Sequence, residues 1–267
     1  MLKGNRLLCA TLLALFCASS HARTLQEVLN SGTLRVGVAL YTPWTMRDPS
    51  GELIGFEIDV ATKLAEDMGV EPEITVYAWE RIILALESGE IDLIAAGLSV
   101  TPERALHVNF SQPYAVGGTT LATNLDTTAR VDSLEDLNDS AYTIAAVTGT
   151  VAEELADRIF PRTRVELFED PDAASTALIE GTVDAYMENE PIPTFLALDN
   201  PTRVDVPIAV PLLQTRAAFA VNKGDADFVI FLNAWITARE SDTWLPTLHN
   251  YWFDTLHWRR QLETTGD

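Results

Sequence analysis

Gly97-Leu98-Ser99-Val100-Thr101-Pro102-Glu103-Arg104 gathers hydroxyls, a helix start and a fixed cation in one short run. Thr101 can cap a helix, Pro102 fits its first turn, and Arg104 supplies a planar fork that suits a carboxylate. Residues 91–96, just before it, are apolar but for Asp92 and read as a buried strand. Working back, Trp79, Ile82, Ile83 and Leu86 recur at helical spacing, and Gly89 stops the pattern. Residues 74–77 read as a strand. Gly55-Phe56-Glu57-Ile58-Asp59-Val60-Ala61 opens another helix, with Ile58, Ala61, Ala65 and Met68 on its apolar face and Gly69 at its end. Residues 34–40 are an apolar, β-branched strand, followed by turn signals at Thr42-Pro43 and Asp48-Pro49-Ser50-Gly51. Strand alternating with helix is the pattern of a mostly parallel sheet covered on both faces.

The alternation restarts further on. Residues 119–124 read as a connecting strand and 125–140 as a polar segment. A strand at 143–147 precedes Thr150 and Glu153, which have the spacing of a capping box. A strand at 165–168, a helix over 173–180 and a strand at 183–188 complete a second, smaller unit. Pro201, Pro207 and Pro211 punctuate the return path, residues 217–222 read as a strand, and the aromatic-rich remainder reads as helical. Two α/β units joined by two crossings suit a cleft, because ligands sit beyond the carboxyl ends of parallel strands. The expected division is a first lobe over 23–117 and 215–267, a second lobe over 118–214, and hinges near 117–123 and 211–217.

Residues 1–22 read as a cleaved secretory signal. Lys3 and Arg6 give a basic start, residues 7–16 are apolar but too few to span a bilayer, and Ser20-His21-Ala22 ends on small residues. Cys9 and Cys17, the chain's two cysteines, fall inside that segment, so the exported form is expected to lack disulfides. A chain of this length buries enough apolar surface without them. The 39 acidic residues outnumber the 18 basic ones, for a net charge of -21. That argues against nucleic acid and against anionic membrane surfaces as partners.

These motifs, in this order, resemble the bacterial periplasmic solute-binding proteins of family 3, which serve polar amino-acid uptake. Residues 34–38 resemble the family's opening strand, 55–61 its signature and 97–104 its carboxylate site. Phe110-Ser111-Gln112-Pro113-Tyr114, Gly181-Thr182-Val183-Asp184-Ala185 and residues 218–224 are similar to later segments. The resemblance implies a two-lobed, type II periplasmic-binding-protein-like α/β fold, with flanking helices and a hinge. It implies a monomeric receptor that presents a small carboxylate ligand to the membrane subunits of an ABC importer. By the same resemblance Arg104 grips the α-carboxylate while Ser99 and the Gly97 backbone assist. Thr150 supplies the second lobe's contact at a helix N-terminus. Trp79 is an aromatic wall, and Tyr41 and Trp44 are candidates for the opposite wall.

Asn189 departs from the family pattern, in which an aspartate at that position takes the ligand's α-ammonium. An amide supplies no countercharge. Either Glu188 or Glu190 turns inward to replace it, or the ligand has no α-ammonium. Alternation along a strand places Glu188 and Asn189 on opposite faces. His107, His249 and His257 share no metal-ligand spacing, and no nucleophile elbow, phosphate loop or zinc motif occurs. No cofactor, metal or catalysis is expected. The alternatives are an enzyme resembling periplasmic cyclohexadienyl dehydratases, with Glu188 or Glu190 as the acid, and a sensory ligand-binding module.

Overall fold

The computed structural model describes residues 22–255 and 258–259. Residues 1–21 of the expected signal, with both cysteines, and His257 lie outside the described residues.

Two sheets organise the chain. The first has the order Glu71–Val76, Thr33–Val38, Leu93–Ile94, Ala220–Asn222, Val108–Phe110. Thr33–Val38 runs parallel to both of its neighbours, and Ala220–Asn222 runs antiparallel to both of its own. Parallel neighbours need a crossover. Helices Phe56–Met68 and Trp79–Glu87 provide the two that this sheet requires. The first of these starts after Gly55 and ends at Gly69, whose φ of 70° closes it in the left-handed region. Its buried face is Phe56, Glu57, Val60, Ala61, Leu64 and Ala65.

The second sheet has the order Val204–Asp205, Ala115–Asn124, Ala185–Asn189, Thr143–Val147, Arg164–Phe168, and Leu213–Ala217 also pairs with Ala115–Asn124. Thr143–Val147 is parallel to both neighbours, joined through helices Val151–Ile159 and Pro171–Glu180. The other pairings are antiparallel. Each sheet is therefore mixed: its crossover units make parallel pairs, and its returning segments add antiparallel ones.

The strand expected over 217–222 is two strands. Leu213–Ala217 belongs to the second sheet and Ala220–Asn222 to the first. Ala218 and Phe219 are the joint, held by Ala218 N–H to Leu98 O at 3.1 Å and by Phe219 N–H to Ser111 Oγ at 3.1 Å. A second bond, from Val100 N–H to Arg216 O at 2.9 Å, ties the loop carrying Ser99 to this return path.

The terminal aromatics close the first core. Trp235, Leu245, Trp252 and Trp258 are buried with Phe56 and Phe219. Trp252 Nε1 donates to Asp59 and Trp235 Nε1 to Asp67, each at 2.8 Å, so the indole N–H groups do not go unpaired. In the second sheet, Tyr186 faces Leu178 and Ala174, while Ala185 and Met187 face Leu155 and Phe160. That alternation covers both faces.

Candidate functional site

A cavity of about 240 Å³ opens between the two sheets. Tyr41, Trp79 and Gly97 bound it from the first, and Thr150, Glu169, Asp170 and Asn189 from the second.

Arg104 and Ser99 are not among its lining residues; Arg104 lies behind Trp79 and Gly149. Thr101 shapes the turn: its hydroxyl accepts the Arg104 N–H at 3.2 Å and its carbonyl the Ala105 N–H at 3.0 Å. The guanidinium is buried and donates to Ser99 O at 3.0 Å and to Gly149 O at 2.9 Å. It also lies 5.7 Å from the centroid of the Trp79 ring, within cation–π range. Burial lowers its pKa, opposed by the charges of Glu154 and Glu103. Trp79 Nε1 donates to the same Gly149 carbonyl at 3.1 Å. One carbonyl of the second lobe thus receives two donors from the first. Ser99 is buried and contributes its carbonyl to Arg104.

Thr150 is the N-cap of Val151–Ile159, accepting from Glu153 N–H and donating to Val147 O at 2.7 Å. The reciprocal bond differs from the expected capping box. The Glu153 carboxylate takes the N–H of Gly149 at 2.6 Å, one residue before the cap.

The Gly97 N–H, expected to meet ligand, is committed to Glu57 Oε1 at 2.5 Å. The same oxygen accepts the Tyr114 hydroxyl at 2.6 Å, and Oε2 is buried without a partner. Desolvation pushes the Glu57 carboxyl up to about 7, against the pull of these two donors. Glu57 was not among the candidate residues. Its signal was an acid in line with Val60, Ala61 and Leu64 on a helix face that is otherwise apolar.

Trp44 does not reach the cavity. It packs edge-on against Phe56 and Phe253, with centroids at 5.5 and 4.8 Å. A Cβ on Gly97 would lie 2.9 Å from its ring. The indole therefore props the loop from behind and forms no wall. Tyr41 does bound the cavity, and its single hydroxyl proton is shared between Glu188 Oε1 at 3.0 Å and Asn189 O at 2.9 Å.

Glu188 has no exposed surface in the second sheet, yet it lines the cavity beside Asn189. Besides Tyr41 it accepts from Asn189 N–H at 2.7 Å and from Tyr186 OH at 2.9 Å. Burial raises its pKa, and these three donors oppose the rise. Asn189 lines the cavity, with Oδ1 accepting the Thr119 hydroxyl at 2.5 Å. His107 pairs with Glu87, and His249 stacks on Phe253 with centroids 4.5 Å apart. Among the described residues no group of His, Cys, Asp and Glu could hold a metal ion.

The family model of bacterial extracellular solute-binding proteins, family 3, matches residues 34–255. The chain belongs to this family. It is similar to the L-cystine-binding protein TcyJ of Escherichia coli, 26% identical over 86% of this chain and 85% of that protein. It is also similar to the cyclohexadienyl dehydratase of Pseudomonas aeruginosa, 24% identical over 93% of this chain and 92% of that protein. The crystal structure of the ancestral amino acid-binding protein AncCDT-1, a precursor of cyclohexadienyl dehydratase, superposes with a TM-score of 0.80 at 32% identity. It covers 86% of this chain and 99% of that one. This solute-binding protein thus has the two-lobed, type II α/β fold expected from its sequence. Its family consists mainly of receptors without catalysis, and one relative carries an enzyme's name.

Proposed function

We propose that this solute-binding protein captures a small carboxylate, a polar amino acid or a close analogue, in the periplasm and delivers it to the membrane subunits of an ABC importer. The observation that carries the reading is the Arg104 guanidinium, buried near the ring of Trp79, which lines the cavity, and hydrogen-bonded to two carbonyls, Ser99 and Gly149. A buried cation gains most from a full countercharge held in a planar fork. An incoming carboxylate would take the guanidinium from Gly149 and lie against Trp79 and Thr150. Residues 23–117 with 215–267 would act as one lobe and 118–214 as the other, bending at 117–123 and 211–217. Residues 1–22 would direct export and be removed, and the receptor would act as a monomer.

A dehydratase reading needs a carboxylic acid directed into the cavity. Asn189 is an amide, and Glu188, although it lines the cavity, has its carboxyl engaged by three donors. The receptor reading is therefore preferred. The test is thermal unfolding of ligand-stripped protein with amino acids and organic acids. A ligand at 100 times its dissociation constant adds about 2.7 kcal/mol. A flat response across the whole panel would overturn the reading.

A further inference from the structure

We propose that the Trp79 indole N–H is a latch between the lobes, holding the Gly149 carbonyl when Arg104 releases it to grip a ligand. The inference rests on the proposed carboxylate grip of Arg104 and gives Trp79 a task beyond that of an aromatic wall.

The Gly149 carbonyl accepts the Arg104 guanidinium at 2.9 Å and Trp79 Nε1 at 3.1 Å. A main-chain carbonyl has two lone pairs, so these two donors complete it. They differ in what a carboxylate offers them. The guanidinium is charged and forked, and it gains a stronger, charge-assisted bond by turning to an anion. The indole is neutral and has a single N–H, already satisfied where it stands.

Both ends of the Trp79 bond are held in place. Gly149 has φ of +75°, and its N–H is taken by the Glu153 carboxylate at 2.6 Å. A Cβ on Gly149 would lie 3.6 Å from Trp79 Cδ1, so the turn rests on the edge of the ring that carries Nε1. Trp79 opens the helix Trp79–Glu87 and packs on the cluster that includes Ile82 and Leu86.

With the guanidinium withdrawn, Gly149 O would keep one donor from the first lobe, and the contact would survive. Without the indole N–H it would have neither, and a carbonyl short of a partner favours opening to water. Release of ligand then requires the Trp79 bond to break. The latch therefore acts on dissociation and leaves association alone.

The test has two arms. In the first, NMR follows the Trp79 indole proton, assigned by its absence from Trp79→Phe. It is expected to be protected from exchange with water in the native protein and to stay protected in Arg104→Met, where the guanidinium is gone. Exchange in Arg104→Met as fast as that of a free indole would overturn the proposal. In the second arm the probes are L-arginine, L-glutamine, L-cystine and 2-oxoglutarate, with binding kinetics read by surface plasmon resonance. Benzothienylalanine at position 79 keeps the size of the ring and removes only the N–H. With it, the tightest probe should dissociate about three- to tenfold faster at an unchanged association rate. An unchanged dissociation rate, or a loss confined to association, would overturn the latch. If no probe binds while the indole proton stays protected, the proposed carboxylate function falls and the Trp79 bond between the lobes stands.

Discussion

Tyr41 donates its hydroxyl to Oε1 of Glu188 at 3.0 Å, joining the turn after the first strand of one sheet to a central strand of the other. The carboxyl it reaches is fully buried. Replacing Tyr41 by Phe removes one of three donors and leaves desolvated oxygen short of a partner. The expected loss is about 1–3 kcal/mol of stability, seen by calorimetry as a lower unfolding temperature. An unchanged midpoint would show that this contact contributes nothing.

Arg104→Met should abolish carboxylate binding. Truncating one partner of a buried, hydrogen-bonded charge pair costs about 2–5 kcal/mol, or at least about 30-fold in affinity. Arg104→Lys keeps the charge without the planar fork and should retain only part of the affinity. Titration of both variants with the tightest ligand found for the native protein is the measurement.

Gly97→Ala tests the loop itself. Gly97 has φ of +63°, and an added Cβ would meet the Trp44 ring at 2.9 Å. Backbone strain of about 1–3 kcal/mol is expected from the left-handed conformation alone. Because the ring cannot withdraw from Phe56 and Phe253, affinity should fall together with stability.

Glu57 makes stability depend on pH. Its folded pKa, about 7, lies above its ordinary value of 4.5. The folded state therefore holds the proton more tightly than the unfolded chain between those values. The stabilisation is full below pH 4.5, declines as pH rises, and is gone above about 7. Its size is on the order of 3 kcal/mol. Glu57→Gln retains the acceptor for Gly97 and Tyr114 but cannot ionise. It should flatten the unfolding temperature across that window, leaving the same-signed contribution of Glu188 in place.

Purified protein is expected to leave prephenate unconverted, as followed by ultraviolet absorbance. Measurable dehydration would revive the enzymatic alternative and direct attention to Glu188 or Glu190.

Much of the fold was legible because its elements punctuate themselves. Apolar spacing and Gly69 delimit the helix Phe56–Met68 closely, and the strand Thr143–Val147 matches its apolar run. The bond from Arg104 N–H to the Thr101 hydroxyl likewise followed from local chemistry, although the short helix it precedes begins only at Arg104, past Pro102. What was not legible depends on partners distant in sequence. Trp44 beside a proline reads the same whether its ring lines a cleft or packs on Phe253. The commitment of the Gly97 N–H to Glu57 and of the Asn189 amide to Thr119 joins residues with no shared local pattern. The split of 217–222 between two sheets was hidden because residues 217–221 are one unbroken apolar run across the joint.

The bonds from Val100 to Arg216 and from Ala218 to Leu98 splice the Ser99 loop onto the returning chain. Any swing of that chain must drag the loop along, like a pedal linked directly to its brake. Substitutions at 216–218, which touch no ligand, should therefore register as altered grip.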